Sequence, residues 1–208
     1  SMASRRDNNA REDDLIEATL TCIASEGISR TTVRRVAEYA GVSNGLIRFY
    51  FEGKDNMLYA AYRRFLERLL SDASDTIEGR ELAPHARLKA FLEANLSPPI
   101  VTPQTLLLWA NFLPLTYGDP RMAEIRREAY RETTELFRHL VEDVLVAEGR
   151  QEDETRLQHL TIALNGLVDG LWIEGALRGD SLNVGEMQQI GLDAAVNLLG
   201  LSGWEALA

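Results

Sequence analysis

Two side chains with complementary hydrogen-bonding groups stand four residues apart in the stretch SNGLIRFYF, residues 43–51. In DNA recognition, an Asn such as Asn44 can bind adenine, and an Arg such as Arg48 can bind the O6 and N7 atoms of guanine, each through two hydrogen bonds. Gly45 has no side chain, so the backbone there can approach a ligand closely. These groups together are suited to the base edges in the major groove of DNA.

The residues around this pair carry groups that bind phosphate. The hydroxyls of Thr32, Ser43 and Tyr50 and the ammonium group of Lys54 can hold a phosphate backbone and so fix the register of a protein on DNA. Residues 28–54 contain five basic side chains against two acidic ones, whereas the whole chain has a net charge of −10. Because the acidic excess lies mainly in residues 61–208, the charge distribution indicates two different tasks in one chain.

Three helices near the N-terminus would position these groups. The third is only about two turns long and cannot be stable alone, so its apolar side chains must pack against the other two. Its polar side then faces outward, as in a helix-turn-helix. The hydrophobic spacing and the capping residues predict these helices as follows: residues 11–26; a segment capped by Thr31 or Thr32 and ended by Gly41; and a segment capped by Ser43 or Asn44 that runs to Tyr50.

The rest of the chain also has helical periodicity, so we predict an all-α fold. Pro114 should kink or end the helix that contains it. The predicted domains are a mobile N-terminal arm (1–10), a three-helix helix-turn-helix domain that binds DNA (11–60), and a helical domain for ligand binding and dimerisation (61–208). The further helices are predicted at residues 55–74, 84–95, 103–117, 121–147, 153–178 and 184–199.

The segment TTVRRVAEYAGVSNGLIRFYFEGKDNML, after a helix that ends in ASEGIS, resembles the DNA-binding domain of TetR-type transcriptional regulators. The resemblance covers about residues 11–60 and implies an operator bound by a homodimer, because two half-sites about 34–36 Å apart are the norm for such domains. From the residues alone, Arg34 and Arg35 suit a solvated surface as well as a DNA contact, and Phe51 suits the core. By resemblance, the base contacts come from Arg34, Asn44, Gly45 and Arg48, and the phosphate contacts from Thr32, Ser43, Phe49, Tyr50 and Lys54.

Asp169 and Trp172 stand about one turn apart in the apolar stretch LNGLVDGLWIEGALRGD. A carboxylate beside aromatic faces suits an organic cation, although each aromatic residue could equally belong to the core and Asp169 could accept a hydrogen bond at an interface. The motifs LSPPIVTPQTLLLWANF, GLVDGLWIEGAL and GVSNGLIRFYFEGK resemble the choline-responsive, BetI-type repressors, which implies choline or betaine aldehyde as the inducer. The candidate ligand-binding residues are Trp109, Asn111, Phe112, Tyr117, Tyr130, Phe137, Asp169 and Trp172.

A second stripe on the same segment contains Ile162, Gly166, Gly170, Ile173 and Leu177. Glycine in a helix costs about 1 kcal/mol relative to alanine, so close packing of another helix must offset that cost. The stripe therefore indicates core or dimer packing, and the resemblance implies that the last two helices form a four-helix dimer seam. Ligand binding would then favour a dimer whose DNA-binding helices are wrongly spaced, with the helix at 55–74 as the lever.

Several classes of function are excluded. His85, His139 and His159 lie on separate segments and Cys22 is the single cysteine, so we expect no catalytic constellation, no metal site and no cofactor. No apolar run approaches the roughly 20 residues that cross a bilayer, so we expect no membrane association and a cytoplasmic location. The remaining alternatives are a TetR-type regulator of an unrelated pathway with a different hydrophobic ligand, and a helical protein-interaction module that does not bind DNA.

Overall fold

The computed structural model describes residues 1–205, so positions 206–208 of the predicted second domain lie outside the described residues. Nine α-helices and no strand occur in residues 1–205, which confirms the predicted all-α fold. The helices are α1 (Met2–Glu26), α2 (Val33–Ala40), α3 (Asn44–Phe51), α4 (Lys54–Ser74), α5 (Pro84–Asn95), α6 (Pro103–Gly118), α7 (Pro120–Ala147), α8 (Glu154–Arg178) and α9 (Val184–Leu199).

The first helix begins earlier than the sequence predicted. α1 starts at Met2, so residues 2–10 extend the helix instead of forming a separate arm. The Ser1 hydroxyl caps it by accepting a hydrogen bond from the Ser4 N–H at 3.3 Å. Residues 2–26 include neither Gly nor Pro, so local propensity continues the helix although no residue before Leu15 is buried. The mobility of residues 1–10 stays a prediction.

Pro114 does not end its helix, which continues to Gly118. Of the two outcomes predicted for this residue, a kink or an end, the structure excludes the end. Proline removes one backbone hydrogen bond, the one that its N–H would donate to the carbonyl four residues earlier. The neighbouring Phe112 is held by tertiary packing, with its ring centroid 4.7 Å from that of Tyr62. This packing retains the helix across the missing bond.

Two compact units make up the chain. Unit 1 contains Ser1–Arg68 and Leu107–Ala129, and unit 2 contains Leu69–Leu106 and the residues from Tyr130 onward. The predicted division at residue 60 does not coincide with this partition, because parts of α6 and α7 belong with the N-terminal helices. The functions predicted for residues 11–60 and 61–208 stay predictions.

In unit 1, the helices α1, α2 and α3 pack around a shared apolar core. Ile23 of α1, Val36 of α2 and Ile47 of α3 are each fully buried. Burying one such side chain contributes about 1.5–3 kcal/mol to the free energy of folding. The contacts among these three side chains therefore hold the short helix α3 in place. The core therefore supplies the packing that the sequence required for α3.

A second contact region of unit 1 joins α4 to the residues from 107 to 129. Phe112 lies between the rings of Tyr62 and Phe65, at centroid distances of 4.7 and 5.9 Å. The Tyr59 hydroxyl donates a hydrogen bond to Asp119 Oδ2 at 2.9 Å. This hydrogen bond lowers the pKa of the Asp119 carboxyl, so the acceptor stays ionised near neutral pH.

In unit 2, α9 packs against both α5 and α8. Two glycines make the close approach possible. A Cβ atom at Gly175 of α8 would lie 2.6 Å from Met187 Sδ, and one at Gly191 of α9 would collide with the side chain of Leu96. Contact of α9 with its neighbours within the chain therefore offsets the helix-propensity cost of these glycines.

A buried hydrogen bond between His85 and Glu148 ties the end of unit 2 together. His85 Nε2 of α5 lies 2.7 Å from Glu148 Oε2, and the Glu148 carboxylate also accepts a hydrogen bond from the Ser202 N–H at 2.9 Å. Burial acts to raise the pKa of Glu148, but the bonds from His85 and Ser202 outweigh it and lower that pKa. The residues after α9 are thus joined to α5 and to the end of α7.

One helical stretch of the described residues, Glu154–Ser181, is long and apolar enough to cross a membrane by length and composition alone. The stretch is not an uninterrupted apolar run, since it contains Asn165, Asp169 and Glu174, and the absence of membrane association stays a prediction. A single such helix is weak evidence of a membrane span.

Candidate nucleic-acid interface

Two hydroxyl residues cap the helices of the predicted helix-turn-helix. The Thr32 hydroxyl accepts a hydrogen bond from the Arg35 N–H at 3.1 Å, and the Ser43 hydroxyl accepts one from the Leu46 N–H at 3.2 Å. Capping uses a lone pair of each oxygen, so the hydroxyl hydrogen remains available. Both residues are exposed, and each can donate that hydrogen to a phosphate oxygen while it caps its helix.

The turn between α2 and α3 depends on Gly41. This residue has φ 68° and ψ 35°, in the left-handed region that glycine adopts without steric cost. The Gly41 N–H and the Val42 N–H bond back to the last turn of α2, the latter reaching the Ala37 carbonyl at 3.0 Å. The chain therefore reverses within a few residues, which brings α3 against α2.

The predicted base-reading residues lie on one side of α3. Ile47 and Phe51 are buried, whereas Gly45 and Arg48 are exposed and Asn44 is half-buried. Within residues 1–205, Arg48 forms no ion pair, so its guanidinium is available to a ligand. Asn44, Gly45 and Arg48 fall within about 100° around α3, where Asn44 borders the buried Phe51 and Gly45 lies farther from it. Their roles in reading bases stay predictions.

Arg34 and Arg35 differ, although the sequence treated them as nearly equivalent. Arg35 Nε lies 2.8 Å from Glu26 Oε2, and its guanidinium also contacts Glu38 and the ring of Tyr39. The bonds from Arg35 and Tyr39 lower the pKa of the Glu26 carboxyl and keep this cluster charged. Arg34 is 82% exposed and lies 3.7 Å from Glu38. Of the two arginines, Arg34 is therefore the more exposed and the more weakly paired.

The aromatic end of α3 is largely outside the core. Phe49 is 75% exposed, and its ring packs edge-to-face on that of Tyr50 with centroids 5.3 Å apart. The Tyr50 hydroxyl donates a hydrogen bond to Asn8 Oδ1 of α1 at 3.4 Å. Lys54 begins α4 and is half-buried. The sequence did not predict the contact between Asn8 and Tyr50, because it joins residues 42 positions apart.

The predicted ligand-binding residues are divided between the units. Trp109, Asn111, Phe112 and Tyr117 belong to unit 1. Phe112 is buried in the aromatic cluster with Tyr62 and Phe65, whereas Tyr117 is 98% exposed. Within unit 1, the structure therefore does not bring Phe112 and Tyr117 to a common surface.

Asn111 has a structural contact that the sequence did not reveal. Its side-chain oxygen accepts a hydrogen bond from the Ile28 N–H at 3.0 Å, and its side-chain nitrogen donates to the Leu107 carbonyl at 2.8 Å. Ile28 begins the short turn between α1 and α2. Asn111 therefore supports the segment that leads into the helix-turn-helix.

The other predicted ligand-binding residues belong to unit 2. Phe137 is buried and packs edge-to-face on Phe91, with ring centroids 4.9 Å apart. Trp172 is 8% exposed, and Asp169, three residues earlier on α8, is half-buried. Tyr130 is also half-buried. Residues three apart on a helix are neighbours, so Asp169 and Trp172 share a surface of α8.

Comparison with known proteins identifies the family. Residues 84–200 match the family model described as "BetI-type transcriptional repressor, C-terminal". Residues 15–61 match the model described as "Bacterial regulatory proteins, tetR family". The chain belongs to the TetR family, with a BetI-type C-terminal domain. It is a transcriptional regulator and not an enzyme, as the resemblance implied.

Relatives of this TetR-family regulator match it along most of their length. The HTH-type transcriptional regulator BetI 2 of Chromohalobacter salexigens is 30% identical over 185 residues, which are 86% of this chain and 84% of that relative. A crystal structure of a transcriptional regulator from Pseudomonas aeruginosa PAO1 is 27% identical and covers 97% of this chain and 95% of its own, with a TM-score of 0.84.

A third similar protein shares the fold at lower identity. The crystal structure of a transcriptional regulator from Saccharomonospora viridis, solved in complex with choline, is 20% identical and has a TM-score of 0.76. The match covers 91% of this chain and 96% of that chain.

The contact of Asn111 with Ile28 generates a testable prediction. Asn111→Ala leaves the Ile28 N–H without its acceptor, so we expect the free energy of unfolding to fall by about 1–2 kcal/mol. Asn111→Asp keeps an acceptor oxygen at the same position and serves as the matched control, with a smaller decrease. Equilibrium denaturation in urea measures both values. Equal stability of the alanine variant and the unmodified protein would contradict the structural role.

Proposed function

We propose that this TetR-family regulator is a repressor that binds a palindromic operator as a homodimer and leaves it when a small organic cation binds. The observation that carries the proposal is the polar side of α3, where Gly45 and Arg48 are exposed and Asn44 is half-buried beside the core residues Ile47 and Phe51. A helix that is apolar behind and polar in front fits the major groove, which accepts one α-helix.

Each part of that face has a distinct proposed role. Arg48 pairs with guanine and Asn44 with adenine, while Gly45 lets the α3 backbone approach the bases. Arg34 is the remaining base-reading residue. Contacts to phosphate fix the register without reading sequence, and we assign them to Thr32, Ser43, Phe49, Tyr50 and Lys54.

The roles of Arg48 and Lys54 can be separated by measurement. The probe is the duplex that the unmodified protein selects from a random library, together with its single-base variants. Arg48→Ala should lose about 1–3 kcal/mol of discrimination at one base pair. Lys54→Ala should weaken binding to all duplexes alike and reduce the slope of log affinity against log salt by about 1. An altered base preference in Lys54→Ala, or an unaltered one in Arg48→Ala, would contradict these assignments.

A dimer is supported by the side of α8 that carries the small-residue stripe. Ile162 and Leu177 are 59% and 74% exposed. Gly166 and Gly170 are also exposed, and a Cβ at either would meet nothing within 4 Å among the described residues. These apolar and small residues are therefore not used for packing within the described part of the chain. A second copy of α8 can approach this stripe closely, which would offset the cost of its glycines.

Charge at the stripe tests the proposed dimer. Ile162→Asp places a carboxylate in the interface, where burying it without a partner is unfavourable, so we expect the variant to be monomeric and to bind the operator weakly. Val146→Asp is the matched control, because Val146 is also apolar and 60% exposed but lies on α7. Sedimentation velocity over a range of concentrations measures the association. A dimeric Ile162→Asp variant would place the interface elsewhere.

A cationic ligand is supported by the chemistry of α8. Asp169 supplies a carboxylate beside the indole of Trp172, and aromatic faces with a nearby negative charge attract quaternary ammonium groups. The protein from Saccharomonospora viridis has the same fold and was crystallised with choline. We therefore propose choline or a related trimethylammonium compound as the effector, with Tyr130 of the same unit as a further member of its pocket.

Ligand binding would act on DNA affinity through the equilibrium between two dimer conformations. A ligand shifts that equilibrium only as far as its affinities for the two conformations differ. Coupling free energies in such systems are about 1–3 kcal/mol, which is a 5- to 150-fold change in operator affinity. A conformation with wrongly spaced recognition helices cannot place both of them in successive major grooves.

A neutral analogue of choline tests whether the ligand is recognised by its positive charge or only by its apolar shape. Choline should weaken operator binding 5- to 150-fold, whereas its neutral carbon analogue, 3,3-dimethyl-1-butanol, should have little effect at the same concentration. Asp169→Asn should abolish that difference while operator binding without ligand is retained. Fluorescence anisotropy of a labelled operator measures each case. Equal effects of the two compounds on the unmodified protein would refute cation recognition.

A further inference from the structure

The beginning of α1 lies beside the end of the proposed recognition helix. The Tyr50 hydroxyl of α3 donates a hydrogen bond to Asn8 Oδ1 at 3.4 Å. Residues 1–11 are all exposed, so this part of α1 contributes nothing to the apolar core. The contact with Tyr50 shows which face of the exposed part is adjacent to the proposed DNA-binding surface.

That face carries two arginines. Arg5 precedes Asn8 by three residues and Arg11 follows it by three, and residues at this spacing lie on one side of a helix. The three residues span about 9 Å along the helix axis, at about 1.5 Å per residue. Neither arginine forms an ion pair with any residue from 1 to 205. We name Arg5, Asn8 and Arg11 the α1 basic face.

Two acidic residues farther along α1, Asp13 and Glu17, pair with α4 and not with this face. Asp13 Oδ1 lies 2.6 Å from Arg64 Nη2 of α4, and Glu17 pairs with Arg68 of the same helix. Their negative charges are therefore directed to α4. Three other acidic residues of α1 lie near the basic face: Glu12, which is half-buried and four residues after Asn8, and Asp7 and Asp14, four before and three after Arg11.

The Asn8 contact also determines which group can reach a phosphate. The Tyr50 hydroxyl has one hydrogen, and in this structure that hydrogen goes to Asn8. The amide nitrogen of Asn8 keeps two donors. While the bond between the two residues persists, Asn8 offers donors to DNA beside Tyr50, and rotation of the Tyr50 hydroxyl away from Asn8 frees its hydrogen for the phosphate contact proposed above.

We propose that the α1 basic face is a second DNA contact, which binds the phosphate backbone next to the bases read by α3. The inference rests on the DNA binding proposed for α2 and α3 and adds a surface outside the helix-turn-helix. Exposed arginines on a helix without apolar packing suit phosphate, which requires charge but not the exact positioning that base edges require. The contact should therefore raise affinity and leave sequence preference unchanged.

The test measures the salt dependence of binding to the duplex that the unmodified protein selects from a random library. Replacing both Arg5 and Arg11 with Ala should reduce the slope of log affinity against log salt by about 0.9 for each phosphate that the variant no longer neutralises. The ratio of affinities for the selected and a scrambled duplex should stay the same. Glu12→Gln should act in the opposite direction and tighten binding to both duplexes, because it removes a negative charge from the face.

Arg6→Ala is the matched control. Arg6 has the same charge and exposure, but two residues before Asn8 correspond to about 160° around the helix, so it lies on the far side. Its replacement should leave the slope unchanged. Circular dichroism should show that all four proteins remain folded, since none of the replaced side chains is part of the buried core.

The outcomes separate this inference from the proposed function. If the Arg5 and Arg11 double variant keeps the slope of the unmodified protein while Arg48→Ala loses discrimination at a base pair, the α1 contact is refuted and the proposed recognition by α3 stands. A changed base preference in the double variant would refute the assignment to phosphate. If the unmodified protein selects no duplex from the library, both proposals fail.

Discussion

The packing of α3 is the constraint on which the rest of the N-terminal region depends. Eight residues are too few for a helix to be stable alone, so Ile47 and Phe51 must be held in the core formed with α1 and α2. Holding one side of so short a helix necessarily leaves the other side in solvent. Gly45 and Arg48 are exposed there, and Asn44 is half-buried at the border with the core. The same packing that stabilises α3 therefore makes its polar face available for recognition.

The residues from 107 to 129 pack against α4 by two kinds of contact. Phe112 stacks between aromatic rings of α4, and the hydrogen bond from Tyr59 to Asp119 adds a polar contact in the same region. Asn111 then reaches the backbone at Ile28, close to the start of α2. One face of α6 contacts both α4 and the segment before α2. A displacement of that face would therefore also displace the helices that are proposed to bind DNA. Such a displacement need not be large, because packed side chains transmit small shifts.

Glycine has two different roles in α8 and α9, and the surroundings of each residue distinguish them. Gly175 and Gly191 have side chains of the same chain within contact distance of a Cβ atom, so they serve packing inside unit 2. Gly166 and Gly170 face open space in the described residues, and the exposed Ile162 and Leu177 lie on the same stripe. The high hydropathy of α8 agrees with the proposed dimer seam, because a dimer interface buries apolar side chains that are exposed in the single chain.

The sequence by itself determined the class of fold, the bounds of α5 and α9, the turn at Gly41 and the polar face of α3. All of these depend on local rules, namely hydrophobic period, capping and the conformational freedom of glycine, which act over a few residues. Tertiary structure decided the rest. Packing allows α6 to continue through Pro114, and an ion pair with Glu26 distinguishes Arg35 from the exposed Arg34. Hydrogen bonds join Asn111 to Ile28 and Asn8 to Tyr50. Each of these features depends on contacts between residues that are distant along the chain. Spacing in the sequence carries no information about which distant residues come into contact.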